Sequence, residues 1–243
     1  MATLQFNNQG THDHPVYGPV SYSVEDIGWD PDGQVSRTLG RMGERVREDR
    51  SDPGFCAWCR QVIGAEYGEL PDMEVVDRAY AHVKSAMTFQ RDEVTGAGVG
   101  GYPAEEVVEV IVRPREMAGF VAQGRGMGDC DDFTMYLAGI LECYGIPTEF
   151  CTVAADQRAP GNYSHVYLVA YPTDDRGIRI RVPLDASHGE YVGWETANKF
   201  GRRTQWPVAT TGGFMGIVGW AMVGVAAWWL AGEMNKRGVG VMA

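Results

Sequence analysis

The feature that most constrains the fold is an amphipathic helical pattern that begins at Gly128-Asp129-Cys130. Its apolar residues recur at the i, i+3, i+4, i+7, i+8 and i+11 spacing of one helix face. They are Phe133, Tyr136, Leu137, Ile140, Leu141 and Tyr144. Gly145 and Pro147 supply a stop signal after the last of them. A stripe this wide cannot be left in water, so the helix is expected to pack inside a core.

Three further helical patterns precede this helix, at about 34–50, 55–67 and 72–90. The first combines an apolar stripe with many arginines, and Asp52-Pro53-Gly54 ends it. Glycines within 96–101 then predict a loop. The N-terminal half of the chain is therefore expected to be helical.

Three strand-like runs follow the Cys130 helix, at about 148–155, 164–172 and 178–186. Each is rich in β-branched or aromatic residues, and turn residues separate them. Helices followed by antiparallel strands predict an α+β fold, with the N-terminal helices packed on an antiparallel sheet. A chain of 243 residues can bury one good core, so one main domain is expected.

The two ends of the chain differ from this middle part. We expect an N-terminal arm and amphipathic helix over 1–54, a main core over 55–204 and an apolar C-terminal tail over 205–243. Residues 1–33 have turn-forming residues without periodicity, which indicates an extended arm. Residues 214–232 carry no charge and are predicted to form one helix hidden from water. Its length reaches the lower limit for a bilayer span, and burial in a multi-subunit assembly is the alternative.

The charge and the cysteines limit the partners and the compartment. A net charge of -11 argues against binding to nucleic acid. The N-terminus lacks a signal peptide pattern, so synthesis in the cytoplasm and reduced cysteines are expected. The Cys56-x-x-Cys59 pair has no second pair, and 12–14 (His-Asp-His) lacks further ligands. We therefore predict no zinc or disulfide on Cys56 and Cys59, no metal site and no cofactor.

Cys130 stands where a nucleophilic cysteine is expected. Asp129 can cap the helix, which places Cys130 in its first turn, where unpaired N–H groups and the helix dipole favour a thiolate. The neighbouring acids Asp129, Asp131 and Asp132 oppose a thiolate. The alternative is a small buried residue without a chemical role.

The second and third strand-like runs offer a base for this thiol. If their turn is centred on Asp175, opposed residues have numbers that sum to 350. The even pairs are then all apolar, as on a buried face, and His165 lies opposite Asp185 among the odd pairs. Directly opposed Cβ atoms are about 5 Å apart. A carboxylate could thus orient one imidazole nitrogen and leave the other to serve a thiol.

These segments resemble a known superfamily. The stretches GMGDCDDFTMYLAGILECYGIP, SHVYLVAY and VPLDAS are similar to the transglutaminase-like superfamily, which has the papain-type cysteine protease fold, and most similar to its phage and bacterial members. The similarity runs from about 75 to 194. It implies that Cys130 is the nucleophile, that His165 is the general base and acid, and that Asp185 orients His165. Gln123 is a candidate for the oxyanion hole, together with the Cys130 backbone N–H.

Two classes of function follow from this resemblance. The first is a cysteine hydrolase or acyl transferase acting on a peptide-like amide, as a protease, an amidase or a cross-linking enzyme within a phage particle. The second is a non-catalytic virion protein, associated with a tail or a capsid, that reuses the fold. The expected partners are a peptide or protein substrate, other virion subunits and, through 214–232, possible contact with a membrane. The expected location is a virion or a membrane surface.

Overall fold

The structure is a computed structural model that describes residues 9–14, 18–23, 30–92 and 110–208. The loop predicted within 96–101 and the helix predicted over 214–232 lie outside these residues. Among the helices in the described ranges, none has both the length and the apolar character needed to cross a bilayer.

Within the described ranges the chain forms five helices. They are α1 (Pro31–Asp49), α2 (Pro53–Ile63), α3 (Asp72–Ala86), α4 (Pro114–Ala122) and α5 (Cys130–Cys143). Asp30 and Asp52 cap α1 and α2 through their side chains, and a proline occupies the first turn of α1, α2 and α4. The predicted helix over 55–67 ends early because Gly64 takes a left-handed conformation with φ 75°. Helix α4 was not predicted as a separate element.

Helix α5 is the centre of the core, as its apolar pattern predicts. It packs against α1, α3 and α4 and against a strand of the main sheet. Gly139 allows α2 and α4 to approach α5 closely, since a Cβ there would lie 2.7 Å from the Pro114 side chain and 3.0 Å from Phe55. The buried faces of the helices meet on α5, which also packs against the main sheet.

The main sheet is antiparallel, and its strands are β5 (Thr148–Val153), β6 (His165–Ala170), β7 (Val182–Leu184) and β8 (Arg203–Pro207). Their order across the sheet is β7-β6-β5-β8. Even-numbered residues of β6 and β7 lie in the main core with α5. The predicted α+β architecture, with helices packed on an antiparallel sheet, is confirmed. Strand β8 was not predicted, because its sequence RTQWP is short and polar.

The predicted register between β6 and β7 is wrong by two residues. Leu168 pairs with Leu184 and Ala170 with Val182, so paired numbers sum to 352 rather than 350. The turn sets this value: the Asp174 carboxylate accepts hydrogen bonds from the N–H groups of Arg176 and Ile178, and Gly177 has φ 77°. A shift of two leaves every side chain on its predicted face.

Two short sheets correct further predictions. The predicted extended arm contains a hairpin of β1 (Gln9–His14) and β2 (Gly18–Ser23). The helix predicted over 72–90 stops at Ala86, because β3 (Met87–Phe89) pairs in parallel with β4 (Gly126–Gly128). A Cβ at Gly126 would lie 2.6 Å from the Ala86 carbonyl oxygen, so a glycine is needed where these segments meet.

The prediction that Cys56 forms no disulfide is wrong. Cys56 in α2 is bonded to Cys143 at the end of α5, with Cα atoms 5.6 Å apart. Cys59 is a buried thiol. The sequence motif contains only Cys56 and the nearby Cys59. Helix packing instead places Cys56 beside Cys143, which is 87 residues away in sequence.

Candidate functional site

Cys130 is the first residue of α5, as predicted. The Asp129 carboxylate caps the helix by accepting a hydrogen bond from the Asp131 N–H at 3.1 Å. The Cys130 side chain is half-buried and is not part of a disulfide. The backbone N–H groups at this end of α5 favour negative charge on a group in the first turn.

A threonine joins the first turn of α5 to the start of β6. The Thr134 hydroxyl oxygen lies 2.6 Å from the Cys130 carbonyl oxygen and 3.3 Å from the Val166 carbonyl oxygen. Val166 directly follows His165. The two chain segments that carry the thiol and the imidazole therefore lie side by side.

His165 and Asp185 are in direct contact. The His165 Nε2 atom lies 2.6 Å from Asp185 Oδ2, and the two side chains are 8% and 0% exposed. The predicted contact is therefore present, although its geometry differs from the prediction. In the observed register Asp185 lies diagonally from His165, and it follows the end of β7. Diagonal neighbours can still touch when one side chain is as long as histidine.

The Asp185 carboxylate is held by four donors. Oδ2 accepts hydrogen bonds from His165 Nε2 and Thr196 Oγ1, and Oδ1 accepts them from Ser187 Oγ and the His188 N–H. Burial acts to raise the pKa of Asp185, but the hydrogen bonds from His165, Thr196 and His188 outweigh it and lower the pKa to about 2. Asp185 is therefore ionised and accepts hydrogen bonds only.

This carboxylate determines which nitrogen of His165 carries the proton. Because Asp185 can only accept, the contact requires a proton on His165 Nε2. Neutral His165 then has an unprotonated Nδ1, the nitrogen that can accept a proton from a thiol. His165 is therefore oriented as a base.

His188 is a second histidine at the site, which the sequence analysis did not single out. The plane of its ring lies at 82° to that of the His165 ring, with centroids 4.8 Å apart, and at 72° to that of the Phe89 ring, with centroids 5.1 Å apart. Phe89 in turn contacts Phe133 of α5. Burial and the neighbouring His165 lower the pKa of His188. Its position three residues after Asp185 in LDASHGE is the signal that could have found it.

Four aspartates form an acidic group at the start of α5. Oxygen atoms of Asp92, Asp129, Asp131 and Asp132 all lie within 4.8 Å of one another. Asp92 and Asp132 also accept hydrogen bonds from the backbone N–H groups of 110 and 112 respectively. Carboxylate oxygens are ligands of hard cations such as Ca²⁺, and these residues could hold one. The sequence analysis named Asp129, Asp131 and Asp132 only as acids that oppose a thiolate, and it did not name Asp92, which is distant in sequence.

Gln123 lies at the exposed C-terminal end of α4. Its side-chain Nε2 donates to the Gly119 carbonyl oxygen at 3.0 Å, and its Oε1 accepts a hydrogen bond from Arg125. Both ends of the side-chain amide are engaged within this turn. The oxyanion role suggested by the sequence stays a prediction.

An open groove of about 540 Å³ runs beside the loop that follows Asp185. Residues of α3 form one side, among them Tyr80 and Lys84, and Glu190 and Tyr191 form the other. The Tyr80 hydroxyl donates a hydrogen bond to the Asp185 carbonyl oxygen at 3.2 Å. Helix α3 therefore supports the loop that holds the carboxylate.

No protein-family model and no curated protein matches the chain. Several solved structures are similar to it. Legionella pneumophila LapG (EGTA-treated) is 18% identical, with a TM-score of 0.38 over 68% of this chain and 78% of that chain. Rad4–Rad23 bound to a 6-4 photoproduct UV lesion is 8% identical, with a TM-score of 0.39 over 67% and 40%. A candidate protease from Parabacteroides distasonis is 15% identical, with a TM-score of 0.36 over 65% and 30%. Identities and TM-scores this low identify neither a function nor a substrate for this chain.

Proposed function

We propose that this chain is a transglutaminase-like cysteine hydrolase or acyl transferase that acts on a peptide-like amide. The observation that carries the proposal is the 2.6 Å contact between His165 Nε2 and Asp185 Oδ2, beside the helix turn that begins with Cys130. This arrangement of a nucleophile, a base and an orienting carboxylate suits acyl transfer.

In the proposed reaction, the Cys130 thiol transfers its proton to His165 Nδ1, and the thiolate sulfur bonds to the carbonyl carbon of the amide. Asp185 stabilises the imidazolium that forms. The Cys130 backbone N–H at the start of α5 can donate to the oxyanion. The carbon–nitrogen bond then breaks as His165 Nδ1 returns the proton to the leaving amine. Water or a second amine then attacks the thioester carbon while His165 Nδ1 accepts its proton. The carbon–sulfur bond breaks, and His165 returns the proton to the Cys130 sulfur.

The aspartates at the start of α5 affect the loss of the proton from Cys130. The carboxylates of Asp129, Asp131 and Asp132 disfavour a thiolate at Cys130. A proton transfer to His165 instead produces a thiolate–imidazolium pair with no net change in charge. We therefore propose that Cys130 depends on His165 for its reactivity more than on the helix dipole.

Thiol labelling tests this dependence. Native protein is treated with limiting iodoacetamide, and the modified cysteines are mapped by mass spectrometry. Cys130 should react first, because Cys59 and Cys151 are buried and burial raises the pKa of Cys59 to about 12. The substitution His165→Gln should slow labelling of Cys130 by roughly tenfold or more near neutral pH. Equal rates of Cys130 labelling in the natural chain and in His165→Gln would contradict the proposed proton transfer from Cys130 to His165.

A second experiment tests the reaction itself. The protein is incubated with a peptide mixture with and without hydroxylamine, which converts a thioester to a hydroxamate. Cleavage or hydroxamate formation should disappear in Cys130→Ala and fall by about 10²- to 10⁴-fold in Asp185→Asn. The ratio of cleaved peptide to hydroxamate distinguishes hydrolysis from acyl transfer.

The setting in a phage particle and the non-catalytic alternative stay predictions from the sequence. An accessible Cys130 that reacts no faster than an unfolded cysteine would favour the non-catalytic alternative. Capsid, portal or tail genes beside the gene for this chain would support a virion protein, and their absence would remove the reason for that prediction.

A further inference from the structure

His165 and His188 form a close pair in which both rings are oriented by hydrogen bonds. Their ring centroids are 4.8 Å apart, and ligand atoms of His165, His188 and Asp185 lie within 4.8 Å of one another. Two imidazoles on one tetrahedral metal ion have centroids about 5 Å apart, given metal–nitrogen bonds of about 2.0–2.1 Å. The observed spacing is thus close to that of two ligands of one metal ion.

The hydrogen bonds around Asp185 determine the tautomer of His188 as well. Ser187 Oγ lies 3.0 Å from Asp185 Oδ1 and 2.9 Å from His188 Nδ1. The serine has one hydroxyl proton, which it donates to Asp185 Oδ1. His188 Nδ1 must therefore donate its own proton to Ser187 Oγ. This leaves His188 Nε2 with a lone pair, as Asp185 leaves His165 Nδ1 with one.

Both histidines consequently have the hydrogen-bonding environment of metal ligands. A histidine that binds a metal commonly donates its second N–H to a carboxylate or to another acceptor, which holds the ring and increases its basicity. Asp185 does this directly for His165 and through Ser187 for His188. The His188 side chain is exposed, so an ion can reach the pair.

We propose that His165 Nδ1 and His188 Nε2 bind a divalent transition metal ion of the zinc class, with Asp185 and Ser187 as the groups that orient the two rings. Two neutral imidazoles suit Zn²⁺ better than they suit Ca²⁺ or Mg²⁺, which take oxygen ligands. A bound ion occupies the lone pair that His165 would offer to the Cys130 thiol. The inhibition that follows rests on the proposed function, whereas the binding itself does not.

The binding test uses the full chain with Cys130→Ala, so that the nucleophile cannot contribute a ligand. Zn²⁺ is titrated by calorimetry with excess Ca²⁺ present to occupy oxygen-ligand sites. We expect one equivalent of zinc, and an affinity lowered by about tenfold or more in His188→Gln. The matched control replaces His12 and His14 by glutamine, and it should bind zinc as before. No zinc binding, or binding that His188→Gln leaves unchanged, would overturn the proposal.

A measurement without substitution at the pair covers the case in which His188→Gln does not fold. In ¹⁵N-histidine spectra of the Cys130→Ala protein, zinc should shift the resonances of His165 and His188 and leave those of His82 in place. A shift confined to other histidines would refute the site.

The inhibition test measures iodoacetamide labelling of Cys130 in the natural chain with and without Zn²⁺. Saturating zinc should slow labelling by about tenfold or more, and EDTA should restore the rate. Zinc that binds to the two histidines without slowing the label would confirm the metal site and refute the proposed contact of Cys130 with His165. The failure of the metal site and the failure of the proposed function are thus distinguishable.

Discussion

Reduction of the disulfide between Cys56 and Cys143 should destabilise the fold without removing any side chain. The bond joins α2 to the end of α5 across 87 residues of sequence. In the chain-entropy model, a crosslink of this span lowers the entropy of the unfolded chain by about 15 cal/mol/K, or roughly 4.6 kcal/mol at room temperature. Domains are stable by only about 5–15 kcal/mol, so this bond should supply a large fraction of the free energy of unfolding.

The assay is urea unfolding followed by tryptophan fluorescence, with and without the reductant TCEP. For a dependence of about 2 kcal/mol per molar urea, the transition midpoint should fall by about 2 M on reduction. The control replaces both Cys56 and Cys143 by alanine. Its midpoint should lie near that of the reduced natural chain, and TCEP should not move it.

Two results would refute this reasoning. Oxidised and reduced protein with midpoints equal within about 0.3 M urea would show that the crosslink does not restrict the unfolded chain as the entropy model requires. Peptide mapping under non-reducing conditions that joins Cys56 to Cys59 would show a different pairing. The expected map has Cys56 with Cys143 and leaves Cys59 as a thiol.

Three further predictions concern two single sites and the C-terminal tail. Tyr136→Phe should destabilise the fold by about 1–3 kcal/mol in urea unfolding, because the buried Tyr136 hydroxyl accepts a hydrogen bond from the Trp58 indole at 2.9 Å. Thr196→Val should lower hydroxamate formation by roughly tenfold, since it removes a 2.6 Å hydrogen bond to Asp185, and Thr196→Ser should recover most of the activity. A chain ending at residue 209 should fold with an unchanged unfolding midpoint and be more soluble in a sedimentation assay. A lower midpoint would place the tail inside the core.

Helix α5 and the position of Cys130 at its first residue could be predicted because the signals are local. The apolar residues of 133–144 repeat with the helical period, and Asp129 provides a cap within one turn of Cys130. The structure buries the whole predicted stripe. Local periodicity and capping were therefore sufficient for this part of the site.

Contacts between distant segments could not be predicted in the same way. Cys143 meets Cys56, and Asp92 meets the aspartates of α5, only because several helices pack together in three dimensions. His188 joins the site because the chain turns after Asp185, where the Gly189 N–H donates to the Asp185 carbonyl oxygen at 2.7 Å. Hydrophobic periodicity gives no information about contacts between residues that are distant in sequence.

The contact of His165 with Asp185 shows why a partly wrong register can still predict a site. The side chains of a strand alternate with a period of two, so an error of two residues keeps each side chain on its face, whereas an error of one would have separated the pair. The register alone would place residue 187 opposite His165. Asp185 reaches His165 because Ser187, His188 and Thr196 hold its carboxylate within the turn that follows β7. The geometry of the pair therefore depends on this turn more than on strand pairing, and substitutions in the turn should affect the site most strongly.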